Sequence, residues 1–152
     1  MNVLLLNGPN LNLLGEREPE IYGSTSLSQL EGLVVARAAE LGIVVQCFQS
    51  NHEGALIDRL HEARRWAQGV IFNPGAYTHT SYALRDAISA TRLSVVEVHL
   101  SDLAQREAWR QVSVLQDVAA HRIMGKGVQG YLEALEWLAA QPSSKRPPQG
   151  TH

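Results

Sequence analysis

Asn7 and Asn10, then Asn73, Thr78, His79 and Ser81, then His99 and Ser101 put amides, imidazoles and hydroxyls into three short stretches of a 152-residue chain. Such groups hydrogen-bond a polar small molecule, and an imidazole can carry a proton to or from it near neutral pH. Each stretch begins where a short aliphatic run ends, at 3–6, 70–72 and 95–98. Taken singly, each has a plain structural use: Asn10 or Asn73 can sit in a turn, His79 can cap a helix starting near Ser81, and His99 can be a satisfied core histidine. Three coincident strand ends favour a site, because open parallel sheets bind ligands beyond the carboxyl ends of their strands.

Arg17 and Tyr22 form a second pair, five residues apart within 7–25, a stretch with no convincing helix or strand. Both can be ordinary surface residues. A phenol, with a reference pKa of ~10, becomes a usable base only when a cation is held close to its oxygen. Arg17 carries a permanent cation on the same loop. Nineteen residues is long for a strand-to-helix connection, which commonly takes ~2–6, so a lid or binding loop is expected.

Two other features invite chemistry and do not sustain it. Gly125-Lys126-Gly127-Val128-Gln129-Gly130 matches a dinucleotide-binding glycine pattern. That site requires a following strand with an acidic residue ~20 positions on, and the chain ends first. A tight turn that lets the last helix pack close to the sheet is the expected use of these glycines. Lys126 and the tail residue Lys145 are the two lysines, and no apolar pocket is visible that would prime Lys126 for imine formation.

The elements that must position these residues follow from periodicity. Apolar runs at 3–6, 43–48, 70–72, 95–98 and, more weakly, 122–124 read as five strands. Between them lie helical spacings. Leu27, Leu30, Val34, Ala38 and Leu41 follow the capping box Ser26-x-x-Gln29 and end at Gly42. Leu56, Leu60, Ala63 and Ala67 run up to Gly69; Leu84 and Ile88 mark a third helix, and Leu132, Leu135 and Leu138 a last one. Alternating strands and helices with continuously apolar strands predict an α/β fold, flavodoxin-like, with a five-stranded parallel sheet covered on both faces. One domain over 1–140 is expected, with 141–152 a disordered tail lacking an apolar face.

Bulk properties remove several function classes. A formal net charge of -2 offers no basic field for nucleic acid or anionic lipid. The lone Cys47 excludes a disulfide framework, and no Cys/His cluster is spaced for zinc. The first apolar run is too short to span a membrane and lacks the basic flank of a signal peptide, so a cytoplasmic protein is expected.

The segment Leu6-Asn7-Gly8-Pro9-Asn10-Leu11-Asn12-Leu13-Leu14-Gly15, followed by Arg17-Glu18-Pro19-Glu20-Ile21-Tyr22-Gly23, resembles the N-terminal signature of type II 3-dehydroquinate dehydratases. Gln49-Ser50-Asn51-His52-Glu53-Gly54, the block from Asn73 to Ser81, and Glu97-Val98-His99-Leu100-Ser101 continue the resemblance in order. It implies a flavodoxin-like lyase that converts 3-dehydroquinate to 3-dehydroshikimate without a cofactor or metal, usually as a dodecamer built from trimers. The matching positions imply Tyr22 as the base, Arg17 as the cation that lowers its pKa, and Asn10 as holder of a water that stabilises an enolate. His99 matches the general acid and Glu97 the carboxylate that positions it. Asn73, His79 and Arg110 match substrate-binding side chains, Leu100 and Ser101 the backbone that holds the substrate carboxylate, and Asp86 a residue reaching in from a neighbouring subunit. After Ser101 the chain departs from the family at Asp102, Ala104, Gln111, Val112 and around Ala120-His121-Arg122. The same step serves aromatic biosynthesis and quinate breakdown. A flavin- or nucleotide-binding module using the Gly125 turn, and a catalytically weakened relative kept for binding or assembly, stand as alternatives.

Overall fold

The computed structural model describes residues 1–16 and 18–142; Arg17 and the tail from 143 onward lie outside the described residues. Five parallel strands, β1 (Asn2–Asn7), β2 (Val44–Gln49), β3 (Gly69–Asn73), β4 (Ser94–His99) and β5 (His121–Met124), form one sheet in the order β2-β1-β3-β4-β5. This is the doubly wound order expected from the alternation of strands and helices, and its direction of winding reverses between β1 and β3. The helices are α1 (Pro19–Tyr22), α2 (Leu27–Glu40), α3 (Glu53–Ala63), α4 (Tyr82–Thr91) and α5 (Gln129–Ala140).

Burial on both faces explains why the central strands read as unbroken apolar runs. Along β1, Val3 and Leu5 pack with Leu30, Val34 and Ala38 of α2 and with Leu135 and Leu138 of α5. Leu4 and Leu6 point the other way, to Leu56 and Leu60 of α3 and Leu84 and Ile88 of α4. β2 is an edge strand, and Val44 at its start is 61% exposed.

Local signals explain the helix ends. Ser26 Oγ accepts from the Gln29 amide at 3.1 Å while Gln29 Oε1 accepts from the Ser26 amide at 2.9 Å, closing the predicted capping box of α2. Ser81 Oγ, not His79, caps α4, accepting from the Leu84 amide at 3.0 Å. α3 ends at Ala63, earlier than its apolar spacing suggests. Ala67 is still buried, but Gly69 opens β3 instead of closing a helix. A Cβ at Gly69 would lie 2.8 Å from Leu138 Cδ2, so the bare glycine lets α5 lie close against the sheet.

The long first connection is not the unstructured loop expected. Leu11–Leu13 make a 3-10 turn and Pro19–Tyr22 a single helical turn, with Pro19 at its first position. Leu11 and Leu14 are buried in the core on the α2 side. These contacts tie down the first half of the connection, and Tyr22 comes at the end of its short helix.

Candidate active site

A pocket opens at the carboxyl edge of the sheet. Its lining draws on Asn10 after β1, on Asn73 at the end of β3 and His79 beyond it, and on His99, Leu100 and Ser101 at the end of β4. Tyr22 joins them from α1, and Arg106 and Arg110 from the segment after β4. Ten of the eleven residues singled out as catalytic or substrate-binding are described. Eight of these line the pocket; Glu97 stands directly behind His99, and Asp86 lies elsewhere.

Asn10 sits in a turn and also lines the pocket. Its backbone is left-handed, φ 69°, a conformation asparagine tolerates better than most residues. Its amide donates to Asn51 Oδ1 at 3.0 Å, and Asn51 is in turn held by Gln49 Nε2 at 3.1 Å. Gly8, just before, packs so tightly that a Cβ would sit 2.6 Å from the Pro74 carbonyl oxygen. The β1 and β3 loops therefore meet backbone to backbone, which fixes Asn10 against the rest of the rim.

Asn73 is held from both sides of its amide. Oδ1 accepts from the Gly75 amide at 3.1 Å, and Nδ2 donates to the hydroxyl of fully buried Tyr131 at 2.9 Å. The Tyr131 hydroxyl in turn donates to Asn7 Oδ1 at 2.7 Å. Burial drives the Tyr131 phenol well above its ordinary range, so it stays a neutral donor. His79 Nδ1 donates to the Val112 carbonyl at 2.6 Å, and its ring meets Trp109 edge-on at 5.3 Å between centroids. Burial holds His79 below the usual histidine range, and the nearby His99 and Arg110 act in the same direction against that carbonyl bond.

His99 and Glu97 are two apart on β4 and so share one face of the strand. His99 Nε2 donates to Glu97 Oε2 at 2.6 Å, with the two side chains 6% and 2% exposed. The contact orients the ring and assigns Nε2 as the protonated nitrogen toward the carboxylate, leaving Nδ1 as the other exchange position. Thr78 Oγ1 donates to Glu97 Oε2 at 3.0 Å and Ser113 Oγ to Oε1 at 2.9 Å. Burial by itself would push the Glu97 carboxyl up. The His99 contact, Ser113 and the charge of Arg122 outweigh it and hold Glu97 below the usual carboxylate range.

Arg106 was not anticipated. Its Nη1 donates to the Tyr22 hydroxyl at 3.3 Å and to Ser101 Oγ at 3.0 Å, and its guanidinium carbon lies 5.6 Å from the centre of the Tyr22 ring. Arg110 also faces the pocket, paired through Nε with Glu107 Oε2 at 2.7 Å and stacked over Trp109 at 4.2 Å. The two arginines are one helical turn apart in sequence, a spacing visible in the chain but not recognised as a paired feature. Thr78 and Ser113 were likewise missed as supports of Glu97.

Asp86 is exposed on α4 and does not line this chain's own pocket. Lys126 is turned away from the pocket, paired with Glu133 at 2.8 Å on the α5 side. Gly125 and Gly127, at φ 79° and 56°, make the tight turn from β5 into α5 that the glycine pattern predicts. Among the described residues no three His, Cys, Asp or Glu side chains gather in a way that could hold a metal ion, and no helix is long and apolar enough to cross a membrane.

The family model for dehydroquinase class II matches residues 1–139. The chain belongs to the class II dehydroquinases. It is 54% identical over 142 residues to 3-dehydroquinate dehydratase of Ruegeria pomeroyi, covering 93% of this chain and 95% of the relative. It is 50% identical over 144 residues to the catabolic 3-dehydroquinase of Aspergillus oryzae, covering 95% and 94%. The crystal structure of type II dehydroquinase from Butyrivibrio crossotus superposes with a TM-score of 0.91 at 43% identity, covering 92% of this chain and 98% of that one. The departures after Ser101 leave this dehydroquinase fold intact through α5.

Proposed function

We propose that this class II dehydroquinase removes water from 3-dehydroquinate to give 3-dehydroshikimate by trans elimination through an enolate. The observation that carries this reading is the meeting of Tyr22 and His99 in one pocket, with Arg106 on the phenol and Glu97 behind the imidazole.

Tyr22, as the phenolate, takes the proton beside the substrate ketone, and the electrons of that C–H bond move onto the ketone oxygen. Arg106 donates to the Tyr22 oxygen, a contact stronger to a phenolate than to a phenol. Arg17, five residues before Tyr22, supplies a second cation in this role. Asn10 holds a water against the enolate oxygen, where negative charge develops. The enolate then re-forms the ketone and expels the C1 hydroxyl, which His99 protonates so that it leaves as water. Glu97 keeps the imidazole oriented and supports its charged form before transfer. A proton returned from Tyr22 to His99 through solvent resets both groups, so the chemistry balances on side chains alone and needs no cofactor.

Asn73, His79 and Arg110, with the backbone of Leu100 and Ser101, bind the substrate's hydroxyls and carboxylate. Asp86 serves the pocket of a neighbouring copy within a trimer, four trimers making a dodecamer. Its exposure on α4, outside its own chain's pocket, supports that role. Purified protein given 3-dehydroquinate and no additive should generate the ultraviolet absorbance of a conjugated enone. Folded protein with no rate above background would contradict the assignment.

A further inference from the structure

Glu97 does not hold His99 alone. The register of β4 and β5 sets Glu97 opposite Arg122, which places both side chains on one face of the sheet. Arg122 Nε lies 3.3 Å from Glu97 Oε2, the oxygen that also accepts from His99 at 2.6 Å and Thr78 at 3.0 Å. The Arg122 side chain is only 15% exposed. Its Nη1 donates to Gln116 Oε1 at 3.0 Å, while buried Nε and Nη2 have no hydrogen-bond partner among the described residues. A guanidinium with two buried donors unspent is costly unless its charge is matched, and Glu97 is the carboxylate within ion-pair reach among the described residues. The strand itself does not require it, since a β-branched side chain would suit the position.

We propose that Arg122 is a positioning residue for the general acid: it pins Glu97 Oε2 and offsets its charge, so that the Glu97–His99 pair releases its proton to the departing hydroxyl. A lone buried carboxylate concentrates its field on the imidazolium and resists that release. A guanidinium on the same oxygen divides the field while keeping Glu97 ionised and fixed in place. Among the described residues, the other charged or titratable groups lining the pocket with His99 are His79, Tyr22, Arg106 and Arg110, the last paired with Glu107. Arg122 makes its hydrogen bond to Gln116 and its ion pair to Glu97, not to any of these four. The inference rests on His99 acting as the acid.

The test is the pH profile of kcat for wild type, R122Q, R122V and R122K with 3-dehydroquinate. Loss of the cation in R122Q should carry the high-pH limb upward by roughly one pH unit and lower the plateau by about tenfold. R122K, which keeps the charge, should stay close to the wild-type limb. R122V suits an edge strand and should shift as R122Q does, which guards against a fold defect in the glutamine variant. A high-pH limb unmoved in both neutral variants, or moved equally in R122K, would overturn the proposal. If wild type itself lacks turnover, the dehydratase assignment fails separately. The His99 ring resonance, titrated in wild type and R122Q, then decides the inference: an upward shift in R122Q supports it and coincident titrations overturn it.

Discussion

The Tyr22 hydroxyl and Arg106 Nη1 lie 3.3 Å apart, although 84 positions separate the two residues in the chain. Arg106 is also tied to Ser101 Oγ at 3.0 Å, so the cation reaches the phenol from a site anchored at the end of β4. In the proposed mechanism, Tyr22 therefore has a cation beside it that comes from outside the first connection. R106Q should lower kcat by about 10²–10³ with a smaller change in KM. R106K should recover part of that loss, because an ammonium keeps the charge but not the fork that joins two oxygens. Steady-state rates across the three proteins check both statements; equal kcat in R106Q and wild type would remove Arg106 from the proton-transfer step.

Glu97 ties stability to pH. Its folded carboxyl is held below the usual carboxylate range, so the unfolded chain binds a proton more readily than the folded one. The stabilisation it contributes is fully present above about pH 4.3 and is lost as pH falls through the lower folded value. Urea midpoints measured from pH 7 down to pH 3 should fall for wild type. E97Q should be less stable at pH 7, and the gap to wild type should narrow on acidification. A gap independent of pH would show that the carboxylate charge is not what stabilises this corner.

Tyr131 joins the core to the site. Replacing it by Phe leaves Asn7 Oδ1 without its donor and Asn73 Nδ2 without its acceptor, both in a buried setting. Denaturant unfolding of Y131F should show a loss of about 1–3 kcal/mol. Released on one side, the Asn73 amide should bind substrate less well, so KM should rise more than kcat falls. A variant as stable as wild type, with unchanged KM, would mean that the three-residue chain is slack.

An enolate route and an imine route leave different traces. Lys126 is paired with Glu133 and lies outside the pocket. Borohydride added with substrate should leave the intact mass of the protein unchanged, and K126A should keep wild-type turnover within a few-fold. A reduced adduct on lysine would replace the mechanism, whatever the rates.

Much of this site is visible in the chain because it sits where periodic elements end. Asn10, Asn73 and His99 follow apolar runs that are buried on both faces, and that pattern marks β1, β3 and β4 unambiguously. The capping box at Ser26 marks the start of α2 for the same reason, as a local signal with a local cause. Roles carried by distant contacts are not visible. Arg106 meets Tyr22 only through the closure of two connections, and Arg122 meets Glu97 only through the register of β4 with β5. The single turn of α1 is too short to show a helical period, and so its stretch reads as irregular. His79 as a helix cap fails because the hydroxyl of Ser81 occupies that position directly.

The most direct measurement compares enone formation from 3-dehydroquinate by wild type and Y22F, prepared identically and shown to be equally folded. Loss of the base predicts a fall in kcat of about 10²–10⁴, with substrate still bound. Turnover by Y22F within tenfold of wild type would contradict Tyr22 as the group that takes the proton.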